Sequence, residues 1–143
     1  MSLACLVGAT GKVNTQALFY ALEHPPSLLI DCHNVANPHS LFPFVQYEKF
    51  ASVFVVPAES LYRFRAALRI LPKIADGVGA KCIVISTFTG LFDFDNEEES
   101  TAVIEHCWEL IQQAAASYEV VVGLKAATYE ALARSHGAEL IQI

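Results

Sequence analysis

The run Cys82-Ile83-Val84-Ile85-Ser86 places four apolar residues in succession before a small polar one. Three of the four are β-branched, and an unbroken apolar run of this length is typical of a strand that other elements cover on both faces. Runs of the same kind occur at Leu28–Cys32, Val53–Val56 and Glu119–Leu124. Because strands covered on both faces belong to parallel sheets, the sequence predicts a parallel sheet.

Segments with helical periodicity lie between these runs. From Glu59 to Ala75 the apolar residues fall on one side of a helix and the charged residues on the other. Asp95 has the position of a helix N-cap, with Glu98 three residues further on and a second amphipathic stretch after it. The residues predicted to be buried are Leu61, Phe64, Leu68, Leu71 and Ala75 in the first helix and Ile104, Cys107, Ile111, Ala114 and Ala115 in the second.

Strands and helices alternate along the whole chain. Leu3–Val7 and Glu139–Ile143 add a first and a last strand, and a short helix before the last strand is predicted to end at Gly137. This alternation predicts right-handed βαβ units. We therefore expect residues 1–143 to form a single three-layer α/β domain around a doubly wound, mainly parallel sheet. The first, second and fourth strands are expected to be neighbours, with Ser86 near the turn Gly8–Lys12 that follows the first strand.

Composition limits the functions open to this 143-residue chain. Apolar residues make up 54% of it and charged residues 17%, an excess that indicates a large core or an apolar surface that meets another subunit. The net charge of −6 argues against electrostatic binding of nucleic acid. With no apolar run of membrane-spanning length and no basic leader, a cytoplasmic protein without membrane contact is expected. The cysteines are predicted to be buried free thiols: Cys5, Cys32, Cys82 and Cys107.

The first glycine turn, Gly8-Ala9-Thr10-Gly11-Lys12-Val13-Asn14-Thr15, comes close to two nucleotide motifs. The phosphate loop G-x-x-x-x-G-K-[ST] matches at Gly11 and Lys12, but its opening glycine falls on Leu6 and its Mg²⁺-binding hydroxyl falls on Val13. The dinucleotide motif G-x-x-G-x-x-G matches at Gly8 and Gly11, but Asn14 stands at the position of its third glycine. Asp31, at the end of the second strand, has the place of the ribose-binding acid. A purely steric role for the glycines is the third alternative.

The remainder of the chain resembles the RecA-like P-loop ATPase superfamily, which includes RadA and KaiC. The segment Leu29-Ile30-Asp31-Cys32-His33-Asn34-Val35-Ala36-Asn37-Pro38 resembles the strand and turn that follow the phosphate-loop helix, and a helical stretch is expected around Phe44–Phe50. The edge segment Val53–Ala58 comes next, and Ile83–Phe92 is similar to the Walker B strand with its small-residue turn. These pieces occur in family order over nearly the whole chain.

The departures from the family pattern fall at its catalytic positions. Ser86 stands where the Walker B strand ends in a Mg²⁺-organising aspartate, and His33 stands where RecA has a water-activating glutamate. With the shortened phosphate loop, the resemblance implies that no catalytic residue and no cofactor is retained and that ATP is not hydrolysed. Weak binding of ATP, ADP or phosphate stays open at the turn residues Gly8, Thr10, Gly11, Lys12, Asn14 and Thr15. The strand ends would add a cleft of Asp31, His33, Asn34 and Ser86.

The resemblance implies a degenerate domain that acts as a binding or assembly module. Its partner would be a second copy or an active RecA-like paralogue that it regulates, in DNA repair or recombination. Because Leu124–Ala127 leads almost directly into a helix, there is no room for a long basic loop, which argues against DNA binding. An NAD(P)-binding protein is the alternative, although the chain contains no Tyr-x-x-x-Lys pair.

A metal site is the last hypothesis that the sequence raises. Asp31, His33 and His39 carry competent ligand groups near one strand end, but a polar turn with ordinary hydrogen bonds is the favoured interpretation and no metal is expected. Asp93 and Asp95 are interpreted as capping residues for the same reason.

Overall fold

A computed structural model describes residues 2–35 and 51–143 of the chain. The expected helix around Phe44–Phe50, the Asn37-Pro38 turn and His39 lie outside these residues. The described chain contains six strands and four α-helices. The strands are β1 (Ser2–Gly8), β2 (Ser27–Asp31), β3 (Val53–Pro57), β4 (Cys82–Ile85), β5 (Glu119–Lys125) and β6 (Glu139–Gln142), and the helices are α1 (Thr10–Glu23), α2 (Leu61–Val78), α3 (Glu97–Ala115) and α4 (Glu130–Ser135).

The six strands form one sheet in the order β3-β2-β4-β5-β1-β6, and every pair is parallel. The predicted parallel α/β sheet flanked by helices is therefore confirmed. The expectation that the first, second and fourth strands are neighbours is wrong for β1, because β5 lies between β1 and β4. The run Val120-Val121-Val122 of β5 is buried on both faces, and β5 pairs with β1 on one side and with β4 on the other.

Helices cover the two faces of the sheet unequally. Alternate residues of a strand point to opposite faces, and the buried side chains divide in the same way. Leu29, Val84 and Val121 pack with α1, whereas Ile30, Ile85 and Val122 pack with α2, α3 and α4. Among the described residues, α1 is thus the only helix on its face. The three layers are α1, the sheet, and the group of three helices.

The larger half of the core lies on the side of α2, α3 and α4. All five residues predicted to be buried in α2 are buried, as are all those of α3 except Ala115, which is half-buried. The sequence pattern missed Trp108, which is fully buried in α3. The ring centroids of Trp108 and Phe88 are 5.9 Å apart, and those of Phe88 and Phe64 are 4.8 Å apart. An aromatic cluster therefore ties α3 to α2 and to the loop after β4.

Strand β3 is an edge strand, and the expectation that both of its faces are covered is wrong. Phe54 and Val55 point to opposite faces and are 41% and 43% exposed. Among the described residues β3 pairs with β2 alone, since no strand lies beyond it in the sheet order. The apolar composition predicts only a strand, whereas the family resemblance places Val53–Ala58 at the edge, and the strand order confirms that position.

Helix ends are set by local hydrogen bonds. Ser60 caps α2 by accepting from the amide of Arg63 at 3.2 Å, and Gly79 ends that helix with φ of 66°. Gly137 has φ of 84° just after α4, which confirms its predicted role. The capping role predicted for Asp95 is wrong, because Asp93 is the residue whose carboxylate accepts from the Asp95 amide, at 2.9 Å. The chain forms a short 3₁₀ turn, Phe94–Asn96, before α3 begins.

None of the helices within residues 2–35 and 51–143 combines enough length with enough apolar character to cross a bilayer. All four cysteines are free; Cys5, Cys82 and Cys107 are buried and Cys32 is half-buried.

Two glycines of the sheet are closely packed, Gly123 against helix α1 and Gly8 against the residue that follows β6. A Cβ atom on Gly123 of β5 would lie 2.8 Å from Cγ1 of Val13 and 3.3 Å from the amide nitrogen of Thr87. A Cβ atom on Gly8 would lie 3.0 Å from the carbonyl oxygen of Ile143. Neither glycine has a positive φ, so close packing, and not backbone conformation, requires them.

Replacing Gly123 with alanine is expected to destabilise the fold. The added methyl group overlaps Val13 and the backbone at Thr87, and overpacking of this kind costs about 1–3 kcal/mol. Urea denaturation of Gly123→Ala against the wild type measures the loss. Gly11→Ala is the matched control, because nothing lies within 4 Å of its Cβ position and the free energy of unfolding should stay equal or rise by less than about 1 kcal/mol. Equal stability of both variants would contradict the close approach of α1.

Candidate functional site

The connection between β1 and α1 is a single residue, Ala9. Its carbonyl oxygen accepts the first helical hydrogen bond, from the amide of Val13 at 2.9 Å. A phosphate loop needs a longer stretch, in which successive N–H groups turn around the phosphate. The chain instead passes directly from strand to helix, so the backbone at Gly8 and Ala9 does not form such a loop.

Val13 occupies the position at which the phosphate-loop motif has its Mg²⁺-binding hydroxyl. Its side chain is fully buried, and Cβ atoms added to Gly123 and Gly8 would lie 2.8 Å and 3.5 Å from its methyl groups. The space between α1 and the carboxyl ends of β1 and β5 is therefore filled by protein. Val13 offers no ligand atom for a metal ion there.

Asn14 is the one buried polar residue of α1, and it joins the helix to the loop after β4. Its Oδ1 accepts from the amide of Thr87 at 2.9 Å, and its Nδ2 donates to the hydroxyl of Thr87 at 3.0 Å. Both residues are buried, at 4% and 1% exposure. In the dinucleotide motif this position is a glycine, which leaves room for close contact; here the side chain closes the space and locks α1 in register.

Ser86 and Asp31 use their polar side chains inside the protein. The hydroxyl of Ser86, which is fully buried, accepts from the amide of Cys32 at 2.7 Å and links the end of β4 to the end of β2. Asp31 accepts at Oδ1 from the amides of His33 at 3.1 Å and Val35 at 3.0 Å. These contacts stabilise the turn after β2. They are the polar-turn arrangement that the sequence favoured over a metal site.

The predicted site residues fall into two groups. The turn group comes from the start of α1: Thr10 is half-buried, Gly11, Lys12 and Thr15 are exposed, Gly8 and Asn14 are buried. The strand-end group of Asp31, His33 and Asn34 lines a cleft of about 250 Å³ with the end of β3. Ser86 lies beneath that cleft and is not part of its lining. Through Thr87, which follows Ser86, the structure connects this region to α1.

The one cysteine of the strand-end cleft is not a reactive thiol. Burial, with a smaller contribution from the carboxylate of Asp31, raises the pKa of the Cys32 thiol well above its usual range, so Cys32 stays protonated and a poor nucleophile. Within the described residues no three His, Cys, Asp or Glu side chains come close enough to hold a metal ion. Asp31 and His33 therefore lack a third ligand in this part of the chain.

A second cavity at the same edge of the sheet was not predicted from the sequence. It has a volume of about 450 Å³ and lies between the loop after β4 and the loop after β5. Phe92, Phe94 and Tyr129 provide its aromatic walls and Lys125 its cation. These residues are far apart in sequence, and no spacing motif joins them. In the sequence, the single signal for this cavity is Phe94, an aromatic residue between two aspartates.

No family model matches the chain, and no curated protein matches it at a significant level. Function is therefore inferred from the fold and from the geometry of the carboxyl edge, the end of the sheet at which the carboxyl ends of all six strands lie.

Replacing Asn14 with alanine is expected to lower the free energy of unfolding by about 1–3 kcal/mol. The amide of Thr87 would lose its acceptor while staying buried, and the cost of an unsatisfied buried donor has this size. Thermal or urea denaturation measures the effect. Thr87→Val is the matched variant: it keeps the amide bond, removes only the hydroxyl acceptor of Asn14 Nδ2, and should cost less, about 1 kcal/mol. A larger loss in Thr87→Val than in Asn14→Ala would contradict this ranking.

Proposed function

We propose that this chain is a degenerate RecA-like domain that acts as a binding or assembly module and does not hydrolyse ATP. The resemblance of the sequence to RecA-like proteins, in family order over nearly the whole chain, supports the class. The parallel sheet with helices on both faces is compatible with it. The regulation of an active paralogue in DNA repair or recombination follows from the resemblance alone.

The observation that carries the proposal is the single-residue connection between β1 and α1. Phosphoryl transfer needs backbone donors around the phosphates, a hydroxyl and a carboxylate on Mg²⁺, and a group that orients water. At the positions that match the family, Ala9 forms the whole loop and Val13 is buried against Gly123. The Ser86 hydroxyl accepts a hydrogen bond from the amide of Cys32. The loop, hydroxyl and carboxylate positions are thus used for packing or for internal hydrogen bonding, whereas His33, at the water-activating position, is exposed.

The strand order favours this class over an NAD(P)-binding protein. In the usual dinucleotide-binding order, 3-2-1-4-5-6, the first strand lies beside the second. Here β5 and β4 separate β1 from β2. Neither of the two matching glycines requires a dinucleotide, because Gly8 serves close packing and no neighbour of Gly11 excludes a side chain there.

Within the described residues the β3 edge of the sheet has no second partner strand, and this supports an assembly role. An edge strand with no charge and with apolar side chains on both faces is a site at which another chain pairs, unless charges or proline block it. Strand β3 carries Phe54 and Val55 and has its only proline at the last position, Pro57. The opposite edge, β6, begins with the charged residue Glu139. We therefore assign self-association to β3, in an antiparallel pairing of two copies about a twofold axis.

The pure protein is expected to show no ATP turnover, and Ser86→Asp is expected not to restore it. The new carboxylate would be buried at the end of β4 without a phosphate loop to hold its metal, and catalytic groups that act as a unit do not contribute singly. A steady-state phosphate-release assay with Mg²⁺-ATP measures the rate. Lys12→Ala is the control variant: turnover in the wild type that disappears in Lys12→Ala would contradict the proposal and reveal a working site at the start of α1.

The protein is expected to form dimers through β3 at high micromolar concentration. Val55→Lys should shift it to monomer, because a lysine on an edge strand opposes pairing with a second copy. Light scattering coupled to size exclusion measures the mass. Ile141→Lys is the matched control on β6, where the side chain has a similar exposure of 40% and no effect is expected. A monomeric wild type, or equal effects of the two substitutions, would overturn this assignment of the interface.

A further inference from the structure

The cavity between the loops after β4 and β5 has the size and the position of a ligand site. Its volume of about 450 Å³ lies in the range of small-molecule sites. It opens at the carboxyl edge of the sheet, next to the point where β5 and β1 adjoin. The helix that follows β1 lies on one face of the sheet, and the helix that follows β5 lies on the other. Sheets of this type bind their ligands at such switch points.

The aromatic residues of this cavity form one fixed wall and one open wall. The ring of Tyr129 is stacked on that of Phe88, with centroids 5.6 Å apart and planes 9° apart, and Phe88 itself is buried. On the other side Phe94 is 75% exposed and meets Phe92 edge-on at 4.9 Å. A planar ligand that stacked on the exposed Phe94 would bury apolar surface, and the contact between the two rings would stabilise the complex beyond that burial.

The charge of the cavity comes from Lys125. This residue ends β5 directly beside Gly8 of β1, and its side chain is exposed. Within residues 2–35 and 51–143, no carboxylate lies within salt-bridge distance of its ammonium group. The nearby acids Asp93 and Asp95 line other cavities. Thr128, whose hydroxyl donates to the carbonyl oxygen of Lys125, lies in the same wall. In a protein with net charge −6, an unpaired lysine among aromatic rings selects for an anion.

We propose that this cavity binds a small planar aromatic compound that carries an anionic group. The ring of the ligand lies against Phe94 and Tyr129, and its carboxylate or phosphate group lies at Lys125. This site is separate from the β3 edge and does not depend on the assembly role or on any nucleotide remnant at Lys12.

The test compares two probes of equal shape, naphthalene-2-carboxylate and the neutral naphthalene-2-carboxamide, by titration calorimetry on the full chain. The wild type should bind the carboxylate more tightly. Lys125→Met should weaken the carboxylate about fivefold and leave the amide unchanged, since an exposed charge pair has an effect of this size. Phe94→Ser should weaken both probes about tenfold, through lost stacking. Lys12→Met, which removes the exposed lysine of α1, should change neither affinity.

Each alternative result has a defined meaning. Equal binding of the two probes, or a carboxylate affinity that Lys125→Met leaves unchanged, would overturn the assignment of the anion. No binding of either probe, or binding unaffected by Phe94→Ser, would overturn the site itself. A short single-stranded oligonucleotide that binds through Phe94 while both probes fail would identify a nucleic-acid surface in place of a small-molecule site. Because Phe94 and Lys125 are both exposed, their substitution is not expected to unfold the protein.

Discussion

The contact of Val13 with Gly123 sets the distance between α1 and the sheet. Because Gly123 has no Cβ atom, a branched side chain lies directly against β5. With the helix at this distance, Asn14 reaches Thr87 and the connection before the helix needs only Ala9. The packing of one methyl-bearing side chain thus governs the length of the loop, the register of the helix and the shape of the carboxyl edge.

The polar residues at this edge are committed to internal bonds for the same reason. Asn14 and Ser86 bond to partners in neighbouring elements, and Asp31 accepts from backbone amides of the turn that follows it. Groups that are already satisfied and buried have little to offer a ligand, because binding would first have to break these bonds. Open polar and aromatic groups are concentrated instead around Lys125 and Phe94, one loop further along the sheet.

The sequence predicted what depends on local pattern and failed where several elements act together. Nearly continuous apolar runs predicted the four middle strands, and helical spacing predicted the buried face of α2, because side-chain periodicity follows from backbone geometry alone. The position of β1 beside β5, and the exposure of Val55, depend on which strands pair, which no single run specifies. The polar turn at Asp31 was predicted from neighbouring residues, whereas the cavity at Phe94 and Tyr129 joins two loops that the sequence does not connect.

The placement of Trp108 has a consequence for spectroscopy. It is the only tryptophan in the chain, and it is fully buried beside Phe88 on the side of α2, α3 and α4. An indole without water around it emits at shorter wavelength than one in solvent, so the intrinsic fluorescence of the native protein is that of an apolar environment. The fluorescence of Trp108 therefore changes when the layer of α2, α3 and α4 opens. It does not change when α1 detaches, because α1 packs on the opposite face of the sheet.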